Sequence, residues 1–471
     1  MKTINNIFIS GQFVTPTGEE TMMIVNPANE EILGMVQLGN EQDILDAIES
    51  AKRALPSFSQ TTKVQRMQYL QDLHDSIMER IDDLQQATID EYGATVERAL
   101  WSNRYAAEIF LNFKKVLEDF EFDRTVGTSL LTLVPVGVAA ILTSWNSNSG
   151  SICVKLAAAI AAGCTTVIKP SELSAIQSQI LAECFEKAGL PEGVINMVQG
   201  KGDVLGPVIS KHPDVSKILF TGSTAVGKII ARSSADTMKR LTLELSGKSP
   251  NIILDDADLE KAVPMAVNAC FMNNGQACIA GSRLIVPAKL LPEIKKLLIR
   301  EVESLRIGDP HDEKTLIGPL ANKKQFDRMQ HYIRSGIDEG AELLVGGLGK
   351  PENMQKGYFV KPTVFTRVTP EMTIAREEIF GPILSVITYN SDEEAVRIAN
   401  DTVYGLQAYI SSSDSERAEK IARKINAGRV LINTLYHDPF APFGGFRESG
   451  IGREGGVYGL EEMLELKVII N

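Results

Sequence analysis

Cys278 stands in residues 275–283, GQACIAGSR, where glycine and small side chains would let a sulfur nucleophile reach a substrate carbon with little steric hindrance. A free thiol ionises near ~8.5, so thiolate chemistry at neutral pH requires a helix N-terminus or a cation to lower that value. A lone intracellular cysteine is otherwise a small buried hydrophobe. Three distant segments bear on the choice. Leu243-Glu244-Leu245-Ser246-Gly247-Lys248 places an acid after an apolar run, and Ser144-Trp145-Asn146 places an amide at the end of the run 133–143. The third is Glu377-Glu378-Ile379-Phe380-Gly381-Pro382. Sulfur attack on a carbonyl would build an oxyanion needing fixed donors, and resolving the adduct would need a base.

Those groups are far apart in sequence, so a large fold must gather them. The 471 residues, 44% hydrophobic and 23% charged, suffice for two or three domains with substantial cores. Sixty acidic against 48 basic residues give a net charge of -12, which disfavours nucleic acid and anionic membrane as partners. The first residues, MKTINNIFISGQF, lack the apolar core of a signal peptide, and no segment offers ~18 uninterrupted apolar residues, so a cytoplasmic location is expected. Five cysteines without CxxC spacing and five histidines without HExxH suggest neither a disulfide framework nor a metal site. The absence of GxSxG removes the common serine-hydrolase reading.

Helical patterns at 41–55 and 63–92, separated by Pro56, precede the first strong strand signal. From residue 131, apolar runs at 133–142, 164–168, 194–198, 218–220 and 241–245 alternate with helical stretches near 152–162, 175–188 and 225–235. Such alternation predicts right-handed βαβ units and a parallel sheet. Gly163 and Gly189 stand where helix-ending glycines belong. A second alternating set follows: strand 251–254, helix 259–272, strand 283–286, helix 288–305, a helix capped by Ser391, and the run 407–410. The expected architecture is α/β, with two parallel-sheet, Rossmann-like lobes. Segment 118–132 and the last 20 residues fit neither lobe.

Three glycine segments compete for a nucleotide. Residues 200–206 resemble a dinucleotide fingerprint with one extra residue before the last glycine. Residues 222–228 fit GxxxxGK, but Ile229 replaces the hydroxyl a triphosphatase needs for magnesium. In the third reading Gly222 and Ser223 form a strand-to-helix junction whose amides would receive a pyrophosphate. Glu244 lies 22 residues after Gly222, near where a fingerprint would place a ribose-binding acid.

Together with Phe220-Thr221-Gly222-Ser223-Thr224, the four segments resemble, in order and at similar separations, the signature segments of the aldehyde dehydrogenase superfamily. The resemblance runs from about Asn26-Pro27 to Gly452-Arg453. It implies a cofactor lobe at 1–117 and 133–246, a catalytic lobe at 247–442, and oligomerisation segments at 118–132 and 443–471 that form a small sheet in a homodimer or homotetramer. It implies oxidation of an aldehyde to the acid by NAD, with Cys278 as nucleophile, the Asn146 amide and the Cys278 N–H as oxyanion donors, and Glu244 as the base that activates water. Lys169, Ser171 and Glu172 would hold the adenosine ribose, Gly222 and Ser223 the pyrophosphate, and Glu378, Phe380 and Trp145 the nicotinamide side. Glu172 favours NAD over NADP, because its carboxylate would repel a 2'-phosphate. Lys155 is read as structural.

The chain departs from the family at the aldehyde passage. Ser147-Asn148 replace a common aromatic-proline pair, and Ser151 and Val154 stand where larger side chains are frequent, while Phe443 would form a wall. A wider, more polar passage is expected, suited to a bulky or hydroxylated aldehyde. Ser246 occupies a usual glycine position beside the base. A coenzyme A-acylating semialdehyde dehydrogenase is the nearest enzymatic alternative, though such relatives lack the glutamate matching Glu244. A non-catalytic binding or structural protein on this fold is the alternative from another class.

Overall fold

The computed structural model describes residues 2–470. Two sheets dominate it. In the first, the order is Gly450–Ile451, Arg240–Glu244, Val215–Thr221, Val138–Leu142, Thr165–Lys169, Ile195–Met197, Ile7–Ile9 and Gln12–Val14. The five inner strands run parallel, and antiparallel strands close both edges. Val138–Leu142 and Thr165–Lys169 are buried at every position, as expected of strands covered by helices on both faces. The helix Asn148–Ala162 is buried throughout and ends at Gly163 in a left-handed conformation, φ 87°. Gly189 ends the helix Ala175–Ala188 in the same way.

The second sheet runs Glu342–Val345, Thr363–Thr366, Ile383–Tyr389, Arg283–Pro287, Pro250–Ile253, Gln407–Ser411 and Arg429–Ile432, parallel except at the first pair. Each sheet has its own apolar core, one built on Ile141, Ile168 and Leu219, the other on Ile252, Ile285 and Ile387. The structure therefore bears out the α/β class with two parallel-sheet lobes. Leu464–Ile469, Ser129–Pro135 and Asp123–Val126 form a separate antiparallel sheet. The apolar residues Val126, Leu466, Val468 and Ile470 are exposed in and beside it.

Several local expectations change. The run 133–142 is two strands in two sheets, broken where Gly137 adopts φ 126° against Ser216, whose Oγ a Cβ would approach to 2.3 Å. The first helix continues to Phe58 with Pro56 in its last turn, forgoing one helical N–H bond, and the buried Phe58 anchors the end. The pattern 63–92 divides into Lys63–Met78 and Ile81–Tyr92 around Arg80, which turns to Asp83 and Glu183. Segment 118–132 begins as the end of a long helix, Val96–Asp119, which packs against Asn148–Ala162.

In the first sheet, consecutive strands proceed from Val138–Leu142 toward one edge and then resume at Val215–Thr221 on its other side. Ligands of open parallel sheets bind outside the carboxyl ends of strands at such a reversal. Trp145 and Asn146 follow one of these two strands, and Gly222 and Ser223 follow the other.

Candidate active site

Cys278 lies in the loop between the helix Leu259–Phe271 and the strand Arg283–Pro287. Asn273, Asn274 and Gly275 lead into it in three successive left-handed conformations, with φ 54°, 57° and 72°. Such a path costs energy for non-glycine residues unless side chains enforce it. Asn274 does so by donating to the Gly93 and Pro319 carbonyls while accepting from Gly318 N–H. Asn273 donates to the carbonyls of Asn146 and Gln276. The Gly247 backbone packs so closely on the Cys278 carbonyl that a Cβ there would lie 2.2 Å from its oxygen.

Of the five cysteines, Cys278 alone is not fully buried. Its thiol is nonetheless pushed up to about 12, chiefly by desolvation and then by the Glu378 and Glu244 carboxylates, with the N–H groups of Cys278 and Ile279 opposing. Cys153, Cys164, Cys184 and Cys270 are buried. No group of three or more metal-ligating side chains occurs among the described residues.

Asn146 is tied to the same loop. Its Nδ2 donates to the Gln276 carbonyl at 2.9 Å, and Ser144 Oγ donates to its Oδ1 at 2.7 Å, which fixes the amide orientation. Glu244 ends the strand Arg240–Glu244, and neither of its buried carboxylate oxygens has a hydrogen-bond partner among the described residues. Burial raises its pKa well above the ordinary carboxylate range; Glu454 adds to the rise, and Lys155, Arg453 and Arg429 oppose it. Gly444 leaves room for this carboxylate, since a Cβ there would stand 2.8 Å from Oε1. Gly222 N–H donates to the Glu244 carbonyl at 3.1 Å, so the glycine junction and the acid share one backbone link.

The residues expected to hold a dinucleotide stand at the carboxyl ends of strands of the first sheet and on the 377–382 segment. Lys169 Nζ donates to the Pro170 and Gly200 carbonyls and lies 3.4 Å from Glu172 Oε2, so the 200–206 glycine segment supplies a carbonyl to the lysine. Ser171 Oγ caps the short turn Glu172–Ser174. At Gly222 a Cβ would meet the Phe220 ring at 2.3 Å. Ser223 caps the helix Thr224–Ser234, on which Val226 and Ile229 are exposed. Lys228 pairs instead with Glu448 at 2.9 Å. Glu378 Oε1 accepts from Gly247 N–H at 3.0 Å, beside Ser246, the departure next to the base. Phe380 has φ 62° and meets Trp145 edge-on at 5.4 Å.

The structure adds residues that sequence reading did not gather. Lys155, read as structural, has its Nζ 2.8 Å from Glu454 Oε1 in a buried pair and donates to Thr221 Oγ1 at 2.7 Å. Tyr105 borders Ser147 and Gly150, and Arg429 lies over the Phe443 ring at 5.0 Å. Ser151 Oγ accepts from Lys155, and Val154 is buried on the next turn of the same helix. Ser151 and Val154 are expected at the aldehyde passage; Lys155, Glu454, Tyr105 and Arg429 carry no local sequence motif.

A partly accessible thiol, a fixed amide and a free buried carboxylate beside a dinucleotide-type cleft form a constellation for covalent carbonyl chemistry. Residues 13–469 match the profile of the aldehyde dehydrogenase family. The chain belongs to that family. Among relatives of this aldehyde dehydrogenase, the 3-succinoylsemialdehyde-pyridine dehydrogenase of a Pseudomonas species is 41% identical over all of this chain and 99% of its own length. A putative aldehyde dehydrogenase of Staphylococcus saprophyticus is 44% identical, with the same coverage. The fold matches that of aldehyde dehydrogenase C from Pseudomonas syringae, a cysteine-to-alanine mutant crystallised with NAD+ and octanal, at TM-score 0.97 and 43% identity, covering 99% of this chain and 96% of that one. An NAD+ complex of the Bacillus cereus enzyme matches at TM-score 0.95 and 38% identity, with the same coverage.

Proposed function

We propose that this aldehyde dehydrogenase oxidises an aldehyde to the carboxylic acid with NAD as hydride acceptor, Cys278 as nucleophile, Asn146 as oxyanion donor and Glu244 as base. The observation that carries this reading is the free, buried Glu244 carboxylate three residues before Gly247, whose backbone packs against the Cys278 carbonyl. Thiolate addition to the carbonyl carbon gives a thiohemiacetal oxyanion, which the Asn146 amide and the Cys278 N–H stabilise. Lys169, Ser171, Glu172, Gly222, Ser223, Trp145, Glu378 and Phe380 would hold NAD, which when bound would supply the two-electron acceptor for the hydrogen on that carbon; the carbon is then left as a thioester on the Cys278 sulfur. Glu244 then removes a proton from water as its oxygen attacks the thioester carbonyl; the C–S bond breaks, and acid and thiolate are released.

The glycine junction supports NAD binding: the space beside Gly222 excludes a side chain, and the Ser223-capped helix turns its positive end toward the cleft. Following NADH absorbance over a panel of aliphatic, branched, aromatic and amino-aldehydes tests the reaction. Equimolar acid and NADH, with no acceleration by coenzyme A, is the expected result. A coenzyme A thioester as product would contradict the hydrolytic step.

Asn146→Ala should lower turnover by about 10²- to 10³-fold, the typical cost of one oxyanion donor, while cofactor titration shows retained binding. Glu172→Ser should shift the NAD-to-NADP ratio of kcat/KM toward NADP by about tenfold or more, a change equivalent to about 1.4 kcal/mol. An unchanged ratio would remove Glu172 from cofactor selection.

The exposed apolar residues at the three-stranded extension suit a subunit contact in a homodimer or homotetramer. Five free cysteines and a thiol nucleophile suit a reducing cytoplasm. No helix among the described residues is long and apolar enough to cross a membrane.

A further inference from the structure

The Cys278 loop is fastened differently on its two sides. Before the cysteine, the amides of Asn273 and Asn274 hold the backbone in place. After it, the chain turns through backbone bonds, with Ala280 N–H donating to the Ala277 carbonyl and Gly281 N–H to the Ala269 carbonyl. One side chain joins them: Tyr409 Oη donates to the Ile279 carbonyl at 2.9 Å. No other side chain among the described residues hydrogen-bonds residues 277–281. Ile279 matters to the sulfur beside it, because its N–H and that of Cys278 favour the thiolate against desolvation and the facing carboxylates of Glu378 and Glu244.

Tyr409 is buried in the strand Gln407–Ser411, in register with Asn251 on the neighbouring strand. Its ring lies under Gly281, where a Cβ would stand 3.2 Å from the ring and 3.2 Å from Asn251 Nδ2, so glycine lets the loop settle on the sheet. Gln407, two residues earlier and on the same face of the strand, donates from Nε2 to Tyr409 Oη at 2.5 Å. A carbonyl only accepts, so the hydroxyl hydrogen is committed to Ile279 and Gln407 must present its nitrogen to the hydroxyl oxygen. The other end of that amide, Oε1, is buried with no partner among the described residues. A buried amide with an unspent acceptor costs stability relative to an apolar side chain, and here it gives the hydroxyl a single direction in which to donate. Desolvation raises the Tyr409 pKa, so the hydroxyl keeps its hydrogen at neutral pH.

We propose that Tyr409, oriented by Gln407, is a positioning residue for the nucleophile: by holding the Ile279 carbonyl it fixes that residue so that its N–H stays on the Cys278 sulfur. Its action passes through the backbone of Ile279. This inference rests on the reading of Cys278 as the sulfur that attacks the aldehyde.

The test is the rate at which iodoacetamide alkylates Cys278 in the full-length protein, read by mass spectrometry on the peptide that carries it and followed across pH. Tyr409→Phe keeps the ring and removes the hydroxyl; it should slow alkylation by about threefold to tenfold at each pH, the displacement that a thiol pKa raised by about half to one unit produces. Glu378 and Glu244 face the sulfur in parent and variant alike, so their titration moves both profiles together. Simple loosening of the loop has the opposite sign, because a more exposed thiol is alkylated faster. Gln407→Leu should slow alkylation in the same direction by a smaller factor and should melt no lower than the parent, since it removes an orphaned acceptor. In both variants NAD+ affinity should hold while the NADH burst slows in step with alkylation. Alkylation of Tyr409→Phe at or above the parental rate would overturn the proposal, as would a parental rate in Gln407→Leu or an NADH burst that does not slow. Those results leave the aldehyde-oxidising reading standing. That reading falls, and this inference with it, if the parent still forms NADH from aldehyde after Cys278 is fully alkylated.

Discussion

Cys278→Ala is expected to lower aldehyde oxidation by about 10⁴-fold or more while leaving NAD binding in place. In the proposed mechanism the sulfur forms the covalent adduct, so its loss removes the route itself. The substitution is small, and the loop is held by Asn273, Asn274 and the Gly247 contact, none of which involves the sulfur. Paired measurements of NADH formation and of cofactor affinity separate this chemical loss from a folding defect. Cys278→Ser should be almost as impaired, because an alkoxide is far less accessible than a thiolate at neutral pH. Retention of even a tenth of parental turnover in either variant would contradict the nucleophile assignment.

Glu244→Gln should reduce steady-state turnover by about 10²- to 10³-fold, within the range a positioned general base contributes. The first chemical half-reaction should survive, so a burst of NADH should precede the slow phase. The base works deprotonated, and burial raises the Glu244 pKa, so hydrolysis in the parent should quicken as pH rises through that raised value. Glu244→Gln should lose this limb of the profile. Stability has the opposite sign: a carboxyl group raised in the fold contributes stability below its unfolded pKa and loses it as pH climbs through the folded one. Glu244→Gln should therefore melt higher than the parent on the alkaline side. A coincident loss of burst and steady state would place Glu244 in the first half-reaction instead.

The sequence made the proposed catalytic trio legible because each member sits in a local pattern of small residues at a strand end or loop. Cys278 is flanked by Gly275 and Gly281, Glu244 precedes Ser246-Gly247, and Asn146 closes an apolar run. Those patterns reflect a local demand for close backbone approach, as at Gly247 against Cys278. Lys155, Glu454, Tyr105 and Arg429 answer to no such demand. They converge only when the Asn148–Ala162 and Val96–Asp119 helices pack together and the 442–454 segment returns to the first sheet. Glu454 stands 299 residues from Lys155, and nothing local announces that pairing. The parallel strands were readable as fully buried apolar runs. The helix Val96–Asp119 was not read, since its apolar positions are interleaved with charges and asparagines that tertiary packing sorts onto separate faces.

Ser246 illustrates how a departure gains meaning from structure. Its Oγ accepts from Thr224 N–H, and its carbonyl accepts from Ser449 Oγ at 2.6 Å. The extra side chain thus adds one more tie between the segment that carries Glu244 and the Ser223-capped helix.

The most direct test is rapid acid quench of Glu244→Gln during oxidation of a reactive aldehyde, followed by peptide mass spectrometry. The account predicts the acyl group of the corresponding acid attached to the peptide containing Cys278, appearing with the NADH burst and decaying slowly. An NADH burst with no adduct on that peptide, or an adduct on any other residue, would contradict it.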